Sequence, residues 1–380
     1  MHHSSSVGSV AGAPAGAGRV NALPATRPLG GPPLLRLTSR ESCPAILTER
    51  EIIDHVAEVY QQAGLAIPRS LLVNYYVALK SNPFVVLAGA EGTGKADFIR
   101  LFAQAILGVE SAQYTLAAGH SSWHSGTGEG SYYRGVHDRF TSMRFLELLG
   151  EAAAPVNSSK LYFVSFQRLH PSEIHTYFSD LLRVDANGCK RLHLPGAPAD
   201  RLPLVPPNVF ITATVDTHDD PATLDQIALR HAGLIVFQAA TQRVSTRPVP
   251  IQPLPVGYQR LLMQTAITDL GVAQARLHEV IGNAVERMRP SPEVGRLLWR
   301  DGRALTSRQL NDLTIFVANS FDVDGSGLFH QEPHRNAQIA YDAQVIQRVL
   351  WRSQHSGGEQ IQRDLAEHLE RLSRPQQAVA

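Results

Sequence analysis

One stretch constrains this chain more than any other: Gly89-Ala-Glu-Gly-Thr-Gly-Lys-Ala96. It follows the short apolar, β-branched run Phe84–Ala88 and precedes Asp97–Leu107, whose apolar residues recur at helical spacing. Strand, glycine loop and helix in that order aim backbone N–H groups at a phosphate lodged on the helix N-terminus. Gly89, Gly92 and Gly94 allow the tight path around Thr93, and Lys95 reaches the terminal phosphates. In a complete loop the residue after the lysine is Ser or Thr, whose hydroxyl binds Mg²⁺. Here it is Ala96, which offers a metal nothing. These residues read as a loop that holds ATP or GTP, with Mg²⁺ weakly held if at all. The alternative is a plain βα turn that needs glycine only for positive φ. Lys95 argues against it, because such a turn has no use for a lysine behind its last glycine.

The bulk of the sequence narrows the class without choosing a function. A chain of 380 residues, 43% hydrophobic and 18% charged, is long enough for two compact parts and a tail. A formal net charge of +1 gives no overall footprint for nucleic acid or a membrane surface. Cys43 and Cys189 have no partner at short spacing, so neither a disulfide framework nor a zinc knuckle is supported. No apolar run approaches the roughly 18 residues of a spanning helix, and the N-terminus lacks a signal-peptide pattern. The expected setting is the cytoplasm.

Three segments follow from composition and period. Residues 1–46 are rich in Gly, Ala, Ser and Pro and cannot bury enough apolar surface to offset their ordering entropy, so a disordered tail is expected. Residues 47–240 read as an α/β core. Its candidate strands are Phe84–Ala88, Gln113–Ala117, Leu161–Ser165, Val209–Val215 and Leu234–Phe237. Helical patterns precede the first strand, at Ile52–Ala63 and Leu71–Lys80, and fall between the strands at Asp97–Leu107, Met143–Ala152, Ser172–Leu182 and Leu224–His231. That alternation predicts a parallel sheet. The proline-rich Pro248–Pro255 then reads as a stiff connection. Residues 241–380 are helical by period, at Tyr258–Leu270, Ala273–Met288, Ser307–Ser320, Ile339–Arg352 and Ile361–Leu372.

The approach to the loop, Leu71 to Gly89, resembles the entry to AAA+ modules of McrB-type restriction NTPases. The resemblance continues through Ile174–Leu182, Pro206–Val215, Ile227–Phe237 and Tyr341–Leu350, in the family's order. It implies a P-loop core with a parallel sheet, an all-helical lid, and assembly into a homo- or hetero-oligomeric ring. A catalytic paralogue or a nuclease is an implied partner, with nucleic acid reached through that partner and no membrane involved.

The family's catalytic positions are altered here. Its metal-binding strand ends in Asp-Glu; in this sequence Leu161–Val164 is followed by Ser165 and Phe166. Phenylalanine cannot act as a general base, and serine substitutes poorly for a carboxylate on a metal. The sensor asparagine corresponds to Asp216. The arginine that reaches a neighbour's nucleotide corresponds to His231, with Arg230 one place early. Comparable single losses cost about 10²–10⁴ in rate. Ala96, Ser165, Phe166 and Asp216 together therefore imply a subunit that binds nucleotide and hydrolyses it poorly, with Arg230 the candidate for action in trans. Two other readings stay open: a working NTPase with relocated acidic ligands, such as Asp219 and Asp220, and a nucleotide-free scaffold.

Weaker signals add little. Asp322-Val-Asp-Gly-Ser-Gly327 matches the first half of a calcium loop, but the twelfth position is Pro333, and a polar turn accounts for it. His120 and His124 have no acidic or cysteine partner. Gly119–Phe140 is glycine-rich and aromatic, suited either to stacking on bases or to surface packing. Arg308 stands where such lids often direct an arginine at the γ-phosphate.

Overall fold

The protein is described by a computed structural model over residues 47–82, 84–109, 111–118, 144–169, 190–191, 203–216, 233–237, 250–300 and 305–353. The described residues all belong to one compact unit, Leu47–Ala380. The expected tail at 1–46, the helices at 172–182, 224–231 and 361–372, both cysteines, Arg230, His231, Asp219, Asp220 and the 119–140 segment lie outside the described residues.

The fold is α/β. Two helices lead in: α1, Glu49–Gln62, and α2, Arg69–Ser81. A capping box starts α1, where Thr48 and Glu51 satisfy each other's backbone N–H groups. The sheet strands are β1 Phe84–Gly89, β2 Tyr114–Ala118, β3 Tyr162–Gln167, β6 Val209–Asp216 and β7 Leu234–Val236, and they lie in the order β2-β3-β6-β1-β7. Every pairing in that sheet is parallel. Between β3 and β6 a small antiparallel pair intervenes, β4 Lys190–Arg191 with β5 Leu204–Val205, which the sequence reading missed because two-residue strands leave no period to read.

Both faces of the sheet are covered, which is why its strands are near-continuous apolar runs rather than alternating ones. Val85, Leu87, Phe163, Phe210 and Ile235 point to one side, where they pack with α1, α2, α3 (Lys95–Leu107) and the C-terminal helices. Phe84, Val86, Val164, Phe166 and Ile211 point to the other, against α4, Phe145–Ala153. Edge-on aromatic contacts, Tyr75 on Phe98 and on Phe102, lock α2 against α3.

The C-terminal helices are α5 Val256–Gln264, α6 Leu270–Ile281, α7 Pro292–Arg300, α8 Ser307–Asn319 and α9 Pro333–Ser353. The continuous helix expected over 258–270 is broken. Asp269 caps the new helix at Val272 N, and the Asn319 side chain takes both the N–H and the carbonyl of Ile267. The helix expected over 273–288 ends at Ile281, where Gly282 turns to φ 57° and a 3₁₀ segment follows. α7 had no counterpart in the sequence reading.

These helices dock on the core: α5 contacts α1, α8 contacts α2, and α9 contacts β7. At the docking surface the buried Glu49 carboxylate accepts bonds from Lys80 Nζ (2.7 Å), Tyr76 OH (2.9 Å) and Thr265 Oγ1 (2.8 Å). Lys80 also donates to Asn319 O, and Asp322 accepts from the first amides of α1, those of Glu49 and Arg50. Asp322 thus serves as a helix cap, and the turn after it is the polar turn the sequence suggested. Among the described residues no helix is long and apolar enough to cross a membrane.

Candidate functional site

The glycine loop sits at the C-terminal end of β1, in the sheet interior between β6 and β7, and opens directly into α3. The crossover from β1 runs to the far edge strand β2, whereas the chain from β6 passes to the opposite edge at β7. The connections from these two neighbouring strands thus leave in opposite directions, and open α/β sheets bind ligands in the crevice at the carboxyl ends of their strands where the connection direction reverses.

Each glycine has its own reason to be there. A Cβ on Gly89 would stand 2.3 Å from the Phe237 carbonyl oxygen, so Gly89 is required by strand packing. Gly92 and Gly94 sit at φ 77° and 90°, where side-chain-bearing residues are strained; a Cβ on Gly92 would meet nothing. Gly94 caps the N-terminus of α3.

Lys95 folds back onto this loop. Its ammonium donates to Gly89 O (2.6 Å), Ala90 O (2.6 Å) and Thr93 Oγ1 (3.3 Å), which uses all three donors. Thr93 Oγ1 in turn donates to Ala90 O at 2.8 Å. None of these lysine bonds goes to a carboxylate. A buried cation at a helix N-terminus opposes the helix dipole, and negative charge placed there is favoured by both. Burial pushes the Lys95 pKa below its usual value; Asp216 and Glu91 pull it back, and Arg168 pushes it down further.

Asp216 ends β6 directly across from Gly89 and is half-buried. The structure therefore brings Asp216 and Lys95 together. Arg168 joins them from the end of β3. Its backbone adopts φ 54°, its N–H donates to Thr214 Oγ1 at 2.9 Å, and its guanidinium pairs with Glu91 of the loop.

Ser165 and Phe166 do not stand at a strand end, as the sequence reading had them. β3 continues to Gln167, and Phe166 pairs with Ala213, three residues before Asp216. Phe166 is a core residue packed edge-on against Phe145 at 5.1 Å. Ser165 is completely buried on the α3 side of the sheet. Its hydroxyl and that of Tyr114 are both sealed from solvent without a hydrogen bond of regular geometry. The two lie close enough that Ser165 offsets part of the rise that burial imposes on the Tyr114 phenol. Ala96 lies in the first turn of α3 and brings no oxygen. Arg308 is exposed in the first turn of α8, and the structure does not bring it to Lys95 by any described contact. Among the described residues no group of three or more His, Cys, Asp and Glu side chains is placed to hold a metal ion.

Sequence reasoning missed Arg168. Its only signal is an arginine two residues after Phe166, and neither the left-handed backbone nor the Glu91 pair is visible in one dimension.

Comparison with protein-family models gives no match for this chain, and comparison with curated proteins gives no significant relative.

Proposed function

We propose that this chain is a P-loop nucleotide-binding protein that acts by binding rather than by hydrolysis. In this reading it is a degenerate AAA+ module of the McrB type, working in a ring or beside a catalytic partner. The observation that carries it is Lys95: a buried ammonium, held only by loop carbonyls and a hydroxyl, at the N-terminus of a helix that leaves a central parallel strand. A phosphate there would accept charge-assisted bonds from the lysine and restore the sign of charge the helix end favours.

Weak hydrolysis follows from the residues present. Phe166 packs in the core and carries no base, and Ala96 has no hydroxyl for a metal. The test is calorimetric titration with ATP and with GTP, paired with measured phosphate release. Binding that falls at least about tenfold in Lys95→Ala, with turnover near background, is the expected result. Absence of binding at millimolar nucleotide would leave the scaffold reading. A second reading, an active NTPase with a relocated metal ligand, draws support from Asp216, the carboxylate opposite Gly89. Phosphate release abolished by Asp216→Asn would establish it.

A further inference from the structure

Arg168 occupies an unusual position for an arginine. It is one of two described non-glycine residues with positive φ, at 54°, a conformation that costs a side-chain-bearing residue free energy. The backbone is held there from β6: Arg168 N donates to Thr214 Oγ1, and Leu169 N donates to Thr214 O at 2.9 Å. Thr214 itself is buried, so this is a firm anchor rather than a loose end. The bend lifts the Arg168 side chain out of the sheet and across to the glycine loop, where it pairs with Glu91, third residue of the loop.

That pair is a weak one. Both side chains are largely exposed, and exposed ion pairs contribute little and exchange readily. A stability role would not explain a strained arginine, because glycine at the same position would be relaxed. Around the loop mouth stand two cations, Lys95 and Arg168, and two carboxylates, Glu91 and Asp216, all close enough to act on the lysine's charge. A guanidinium presents a planar fork that matches phosphate oxygens, and it is more weakly hydrated than an ammonium.

We propose that Arg168 is the second cation of the phosphate site: it leaves Glu91 for the phosphate end of the bound nucleotide and replaces the divalent metal that Ala96 cannot hold. This rests on the reading of the glycine loop as a phosphate site. Lys95 and Arg168 then approach the phosphates from the two sides of the loop, one from α3 and one from the end of β3. Glu91 keeps the guanidinium in place while the site is empty, and competes with the ligand for it.

The experiment is calorimetric titration of the full chain with ATP and GTP, once in EDTA and once with Mg²⁺, for wild type and four variants. Wild type is expected to bind equally with and without the metal. Arg168→Gly is expected to melt higher, because glycine accepts φ 54° freely, and yet to bind about tenfold or more weakly. Arg168→Ala keeps the strain and shows the same loss of affinity. Glu91→Gln frees the guanidinium and tightens binding a few-fold. Nucleotide affinity that is unchanged in both Arg168 variants while Lys95→Ala abolishes binding would overturn the proposal and leave the loop reading intact. Binding that disappears in EDTA would overturn it in the same way. No binding by wild type would overturn both together.

Discussion

At the scale of single residues, glycines of one motif answer to different forces. Gly89→Ala drives a methyl into the Phe237 carbonyl and must displace β1 from the segment after β7. We expect it to cost several kcal/mol, at the upper end of what overpacking does. Gly92→Ala meets open space and carries only the penalty of positive φ, about 1 kcal/mol. Thermal melts of the two variants separate these cases. Phe166→Glu, which would return a base to its aligned position, instead buries a carboxylate against Phe145 and the apolar core. It should destabilise by at least about 3 kcal/mol and give no hydrolysis, as a melt and a phosphate-release assay would show. Lys95 sets the pH dependence. Its folded pKa lies below 10.5, because burial outweighs Asp216 and Glu91. As pH rises through that lowered value the ammonium is lost and nucleotide affinity falls, before an ordinary lysine would titrate. Stability moves the other way. Between the lowered value and 10.5 the unfolded chain holds more protons than the folded one, so this group's contribution to stability rises with pH. Titrations and melts across that alkaline window, with Lys95→Met as control, should show the opposed slopes.

At the scale of elements, helix ends carry much of the design. α1 begins with a local capping box and a distant cap, since Asp322 accepts from the Glu49 and Arg50 amides. Thr48→Ala should cost about 1 kcal/mol, as isolated caps do. Asp322→Ala should cost more, because Asp322 is buried and its loss strands two amides 270 or so residues away in sequence. Urea denaturation of both variants tests the ranking. The same turn explains a residue that resembles a metal ligand: Asp322 faces a helix end, and the Asp324 carboxylate accepts from Ser326 N.

At the scale of the whole molecule, the C-terminal helices are bonded into the core rather than laid on it. Glu49, Tyr76, Lys80, Thr265 and Asn319 form one buried network joining α1, α2, the α5–α6 break and the end of α8. Lys80→Met leaves the Glu49 carboxylate buried without its cation, a change worth about 3–5 kcal/mol. Glu49→Gln alone strands Lys80 in the same way. The double variant should cost less than the sum, since the two residues share one interaction. We also expect a single cooperative unfolding transition for the core and the docked helices together, followed by tryptophan fluorescence and circular dichroism. Two separated transitions would show that the network does not couple them.

The sequence by itself determined the local content of the fold. A β-branched run, a glycine loop and an amphipathic stretch specify strand, turn and helix from neighbouring residues alone, and all five sheet strands fall within two residues of where hydrophobic runs predict them. Lys95, Gly92 and Gly94 were legible for the same reason, since a phosphate loop is a local motif. Only the tertiary structure decided the rest. Strand order, the burial of Phe166 beneath α4, the placing of Asp216 opposite Gly89 and the reach of Arg168 to Glu91 each join residues of different elements, from about 20 to about 150 positions apart. Such contacts depend on how the whole sheet closes, and a single sequence carries no period or spacing that records them.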